Sequence, residues 1–194
     1  MAVNLIQELS TIRDFRTKQG QRHPLWLVLL LVIMGTMSGC VGYRGLGEFV
    51  VRHHDELIAT LNVPKERLPS YSTMRRVMIR IDFTELTRVF NTWAAQFIES
   101  SQTDWFATDG KSIHATMRDY KSAYQDFVSV VSVFSTKRGL IVGLQAMSNK
   151  RTSEITTVQS LLNALDLQGV VFSLDALHCQ KKLCSRSSHL EMIM

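Results

Sequence analysis

Trp105-Phe106-Ala107-Thr108-Asp109-Gly110-Lys111 and Val170-Val171-Phe172-Ser173-Leu174-Asp175 contain two short apolar runs that each end on an aspartate. Both are rich in β-branched or aromatic residues, which marks them as strands. Phe127 to Phe134 and Leu140 to Ala146 have the same character, and Ser135 to Gly139 makes a hairpin-like break between them. Before the last strand comes a helical pattern, with Ser153 as cap and Ile155, Val158, Leu161, Leu162 and Leu165 on one face. The order is therefore strand, strand, strand, helix, strand. An antiparallel hairpin leaves the first strand free on its other side, and a helical crossover can bring the fourth strand parallel beside it. That predicts a mixed sheet with Asp109 and Asp175 at neighbouring strand ends.

Two carboxylates so placed can share a pair of Mg²⁺ ions about 3.5 to 4 Å apart, the geometry of phosphodiester cleavage or transfer. Asp before Gly is also a common turn signal, so spacing alone leaves a purely structural role open for both. Gly110-Lys111-Ser112 resembles the end of a phosphate-binding loop. That motif needs a further Gly five positions before Gly110, where Trp105 stands, and without it the backbone cannot wrap a phosphate. His178, Cys179 and Cys184 have a spacing that fits no usual structural zinc site. Ser112 and His114 lack the context of an acyl-transfer nucleophile.

Upstream, the pattern is helical to about residue 100. Leu5, Ile6, Leu9 and Ile12 have helical spacing, and His23-Pro24 marks the entry to a second helix. Glycines at 35, 39, 42, 45 and 47 break that helix and lead into another, Leu46 to Leu61, after which Pro64 and Pro69 bracket a turn. Ser70 or Ser72 can cap a helix through Ile81. Asp82 with Glu85 makes a capping box for the next, whose predicted apolar face is Phe83, Leu86, Phe90, Trp93 and Phe97. Arg75, Arg76 and Arg80 give the Ser70-capped helix a basic face, either a solvated surface or a helix-turn-helix that reads DNA. The expected class is α+β.

At 194 residues, 45% of them hydrophobic and 20% charged, the chain can bury a real core and form one domain with a smaller appendage. A net charge of +5, spread over both halves, permits a polyanionic partner without demanding one. Cys40, Cys179 and Cys184 are odd in number and irregularly spaced, which fits a reducing compartment and a cytoplasmic location. Leu25 to Met34 is an unbroken apolar run, followed by Met37-Ser38-Gly39-Cys40, which faintly resembles the cleavage box of a lipoprotein signal. The run falls short of the roughly 20 residues of a membrane span, and the region before it carries Glu8 and Asp14. It is expected to be a buried core helix, with no membrane partner.

Several segments, in order, carry a family resemblance. Asp109-Gly110-Lys111-Ser112, Gly139-Leu140-Ile141-Val142-Gly143, Lys150 to Ile155, Leu165-Asp166-Leu167-Gln168-Gly169 and Leu174-Asp175-Ala176-Leu177-His178-Cys179-Gln180-Lys181 closely resemble bacterial insertion-sequence transposases that include the H-repeat-associated proteins. Arg22-His23-Pro24-Leu25 and Leu68-Pro69-Ser70 resemble that family's N-terminal associated domain.

The resemblance implies a helical associated domain over 1–101, the first half of a ribonuclease-H-like catalytic domain over 102–182, and an aberrant tail over 183–194. The fold implied is an N-terminal helical domain followed by an incomplete ribonuclease-H-like domain. It implies Mg²⁺-dependent cutting and joining of DNA at insertion-sequence ends by an Asp, Asp, Glu triad, in a chain that could form homo-oligomers. Asp109 matches the first acid and Asp175 the second, both as catalytic residues and metal ligands. Lys111 would add charge near a phosphate, and Arg75, Arg76 and Arg80 are further candidates for DNA contact. The third acid has no match. Glu191 is the one acid after Asp175, in a segment that departs from the family's pattern, so a truncated or frameshifted, inactive remnant is expected. A non-catalytic DNA-binding or regulatory fragment is the alternative, with a membrane-anchored protein as a third reading. The fourth strand is expected to keep an unpaired edge.

Overall fold

The structure is a computed structural model that describes residues 2–97, 105–118, 126–148, 153–165, 170–174 and 191–193. Its contacts divide the chain into two units, Met1–Val89 and Phe90–Met194, each with its own hydrophobic core.

The first unit is built around α2, Leu25–Met37, in which Leu25, Leu27 to Leu31 and Gly35 are buried. A helix apolar on all sides has to be enclosed on all sides, and the apolar run does form a core helix. Helix α1, Ala2–Ser10, supplies Leu9, and Ile12 follows it into the same core. Helix α3, Gly42–Arg52, meets α2 at 99°. The predicted helix Leu46 to Leu61 is in fact two, because His53 at φ −106°, ψ 23° ends α3 and starts α4, His54–Leu61. Asp55 and Glu56 fall in the first turn of α4, where carboxylates favour a new helix N-terminus.

Helix α5, Tyr71–Met78, begins after Ser70, whose hydroxyl lies 3.0 Å from that of Ser72 and makes no cap to the backbone. In α6, Phe83–Ala95, the capping box is half made. Asp82 accepts from the Thr84 N–H at 2.9 Å, but Glu85 pairs with Arg88 at 2.7 Å instead of reaching back. The buried positions of α6 are Val89 and Ala94, while Phe83 is 46% exposed, so the face actually used is turned from the predicted stripe. Phe90, Trp93 and Phe97 form a ring ladder instead, with centroids 6.0 and 5.0 Å apart.

The second unit holds a five-stranded sheet in the order β3-β2-β1-β4-β5. Strands β1, Trp105–Arg118, β2, Asp126–Ser135, and β3, Leu140–Ser148, are antiparallel neighbours. Helix α7, Glu154–Leu165, crosses from β3 to β4, Val171–Ser173, which pairs parallel with β1 as predicted. The Ser153 hydroxyl accepts from the Thr156 N–H at 3.2 Å, the expected cap of α7. Val158 and Leu161 of α7 pack into the sheet's core with Phe106, Val131, Val133, Val142 and Phe172. The rings of Phe106 and Phe172, register partners across the parallel ladder, lie 5.6 Å apart. Asn91 of α6 serves β3 like a strand, donating to Leu144 O and accepting from Leu144 N–H, both at 2.8 Å.

Two expectations are corrected. Asp109 does not end β1. The strand continues through Gly110-Lys111-Ser112 to Arg118, because β2 supplies ladder partners for Asp109, Gly110, Lys111 and Ser112 where apolar character has stopped. Nor is the outer edge of β4 unpaired. Strand β5, Glu191–Ile193, adds to it in parallel, with Val171 opposite Glu191 and Ser173 opposite Ile193. Among the described residues no single helix is long and apolar enough to cross a membrane.

A Cβ at Gly35 would stand 2.6 Å from Leu46 Cδ2 and 3.4 Å from Phe49 Cδ1, so a larger residue there would have to displace the buried Leu46 side chain at the α2/α3 crossing. Gly35→Ala is expected to cost about 1–3 kcal/mol by overpacking, read as a lower urea midpoint with unchanged m. Asp14 is held below its ordinary 3.8 chiefly by the hydrogen bond from Arg16, with burial opposing. A depressed folded pKa means stability present above 3.8 and lost as pH falls through the folded value. Asp14→Asn should therefore lower stability at pH 7 and flatten the loss on acidification below about pH 4, measured by urea melts across pH.

Candidate active-site strand and a basic cavity

Strand alternation sorts the residues around Asp109. Phe106 and Thr108 are buried while Asp109 and Lys111 are exposed, so Phe106, Thr108 and Gly110 share the α7 face and Asp109 and Lys111 share the other. The expected proximity of Lys111 to the first acid is thus a same-face, i,i+2 relation. The Asp109 backbone is fixed by β2, opposite Ser132. Beneath it the Thr108 hydroxyl is buried with no partner among the described residues.

Asp175 lies outside the described residues, as do His178, Cys179 and Cys184. The last β1/β4 pair is Ala107 with Ser173, and Asp109 and Asp175 each follow that pair by two positions in the sequence.

Sequence reasoning missed Glu154. The first-turn carboxylate of α7 lies against the Cα of Gly110, where any Cβ would collide with it. It reaches the Asp109 segment from the opposite face of the strand. The signal was Gly110 itself, since a Gly inside a strand marks a close approach as well as a turn. Glu191, by contrast, is level with Val171 and so with Trp105, four residues from Asp109 along β1, or about 13 Å at strand rise. Its backbone position does not bring a third carboxylate beside Asp109.

A resident Mg²⁺ takes oxygen donors, and Asp109 offers an exposed carboxylate of that type. Among the described residues no group of three or more His, Cys, Asp or Glu could hold a metal ion. The donor type fits, and the described donor set by itself is short of a complete site.

The basic candidates separate. Arg76, in α5, and Arg80, in the turn just past its end, both line a cavity of about 770 Å³ in the first unit, together with Arg16, Arg22, His23 and Arg67. Arg75, one residue round the helix, is exposed and does not line it. Nine residues separate α4 from α5, so these two helices do not form the tight-turned helix-turn-helix. Arg16 is the fixed wall of the cavity. Its Nε and Nη2 donate to the two Asp14 carboxylate oxygens at 2.9 and 2.7 Å, and Nη2 also donates to His23 O at 2.8 Å. His23 Nδ1 in turn donates to Arg67 O at 3.1 Å. The motifs Arg22-His23-Pro24-Leu25 and Leu68-Pro69-Ser70, distant in sequence, are thus tied together at the cavity wall. Burial, with Arg22, Arg16 and Arg67 nearby, pushes the His23 imidazole below its ordinary pKa, against the opposing effect of its hydrogen bond to Arg67 O.

Comparison with known proteins places this architecture. Residues 6–94 match the family described as DDE_Tnp_1-associated. Over 182 residues, 94% of the chain, the sequence is 32% identical to the "H repeat-associated putative transposase YbfD" of Escherichia coli strain K12 and covers 70% of it. YhhI of the same strain, which bears the same description, is 30% identical over 182 residues, and the chain spans only 47% of its length. Among solved structures, the piggyBac transposase of a synaptic complex with hairpin DNA matches 97% of this chain and 47% of its own, at 10% identity and a TM-score of 0.50. That likeness is one of fold, a helical N-terminal region leading into a mixed, ribonuclease-H-like sheet. The chain belongs to the H repeat-associated family of transposase-related proteins.

Proposed function

We propose that this protein acts on DNA in transposition of an insertion sequence, with Asp109 and Asp175 as the two acids that would hold Mg²⁺ for strand cleavage and transfer. The observation that supports the reading is the parallel β1/β4 ladder, whose last described pair, Ala107 with Ser173, precedes each aspartate by two positions in the sequence. The metal, when bound, would supply charge neutralisation at the attacking and leaving oxygens. The protein's own part is placement. Asp109 is held in mid-strand by β2 and presents its carboxylate to solvent, and Lys111 on the same face adds positive charge toward a phosphate. Such DNA work belongs in the cytoplasm, in keeping with the cysteine pattern.

A third acid has no match among these 194 residues, and Glu191 stands at the wrong level of the sheet. The 194-residue polypeptide, tested alone, is therefore proposed to bind DNA without cutting it.

The test is incubation of the purified polypeptide with its element's end DNA in Mg²⁺ or Mn²⁺, beside Asp109→Ala. Retention of DNA with no cleaved or joined product is the expected result. Cleavage that Asp109→Ala abolishes would overturn the inactivity reading while upholding the role of Asp109.

A further inference from the structure

The cavity of the first unit has no part in the chemistry assigned to Asp109, yet its composition is strongly one-sided. Five arginines line it, at positions 16, 22, 67, 76 and 80, against one carboxylate, Glu66. Its volume of about 770 Å³ falls in the range of ligand sites, so it is a concavity and not only a basic surface. Four segments converge on it: the stretch from Phe15 to His23, His54 at the start of α4, the turn from Glu66 to Ser70, and α5 with the turn after it. Two further observations bear on what it takes. Arg16, with its side chain 8% exposed, keeps its Nη1 buried and without a partner among the described residues. Leaving a charged donor unpaired costs free energy that an incoming anion would return. Phe15 lies under the Arg80 guanidinium at 5.7 Å, a stacking that orients a long, flexible cation beside the opening.

We infer that this cavity is a phosphate-binding site that seats a backbone phosphate of DNA, with Arg16, Arg22, Arg67, Arg76 and Arg80 as its donors, Arg16 being also its fixed wall. Guanidinium groups bind phosphate bidentately, and several converging on one concavity favour a dianion or a strand end over a single exposed contact. Arg76 comes from α5 and Arg80 from the turn that follows it, whereas Arg22 and Arg67 come from the two segments joined by the His23 hydrogen bond. A bound phosphate would therefore also brace that junction. His23 reports on occupancy. Its imidazole faces Arg16, Arg22 and Arg67 in a cavity that also holds Arg76, Arg80, His54 and Glu66, and an anion placed among these cations stabilises the protonated ring.

The inference rests on the DNA-processing reading, and the test separates the two. Binding of the full 194-residue chain to element-end duplex is measured across salt concentrations for the wild type, Arg22→Ala, Arg67→Ala and, as a surface control outside the cavity, Arg52→Ala. His23 is followed by NMR with duplex, with inorganic phosphate and with neither. Melting curves establish that each variant folds. Arg22→Ala and Arg67→Ala should each weaken binding about tenfold and reduce the salt slope by about 1, while Arg52→Ala changes neither. Duplex should raise the His23 pKa. Tight DNA binding with an unchanged slope and an unmoved His23 would overturn the cavity assignment and leave the DNA reading standing. A His23 response to inorganic phosphate without any to duplex would show a site for a free anion and overturn the strand-phosphate inference. Absence of DNA binding by the wild type would sink the DNA reading itself.

Discussion

The parallel pairing of β1 with β4 is the constraint on which the sheet-containing unit depends. Parallel neighbours need a crossover, and α7 is that crossover, so its Ser153 cap and its Val158 and Leu161 contacts are conditions for the ladder. The ladder in turn brings Phe106 and Phe172 side by side at the centre of the core. A slip of β4 by one residue would part these two rings and turn Phe172 to the other face. Packing at the centre of the sheet is therefore set by this one register, while Asp109 takes its place from the β2 ladder.

Much of this was legible in the residues, and the failures have physical causes. The β-branched runs, the hairpin break and the helical spacing of α7 together specified the sheet order, because period and length agree with one another there. Strand β1 was read too short because apolar character stops at Thr108, whereas the ladder to β2 depends on backbone groups that Gly110, Lys111 and Ser112 possess as fully as Val or Ile. The break at His53 was invisible because helical spacing of apolar residues survives a change of helix axis. Strand β5 was missed because three residues are too few to show a period. Of the candidate site, Asp109 and Lys111 were readable from flanking residues. Glu154 was not, since its approach to Gly110 joins positions far apart in the chain.

In the helical unit the decisive polar element is a short relay, Asp14 to Arg16 to His23 to Arg67. Each link satisfies a group that burial would otherwise leave costly, and together they close a loop on the mouth of the cavity. Arg75, Arg76 and Arg80 look equivalent in sequence, and only helix geometry separates the first from the other two.

Ladder hydrogen bonds to β2 hold Asp109, whereas its described pairing with β4 stops at Ala107. Asp109 is thus carried by a meander of neighbouring strands, β1 to β3, whose contacts are local along the chain. Local pairings close cheaply and early in folding, while the crossover to β4 spans α7 and closes late. Asp109 would then be in place before the rest of the sheet assembles, and sequence changes beyond α7 would alter what meets this acid without altering where it stands.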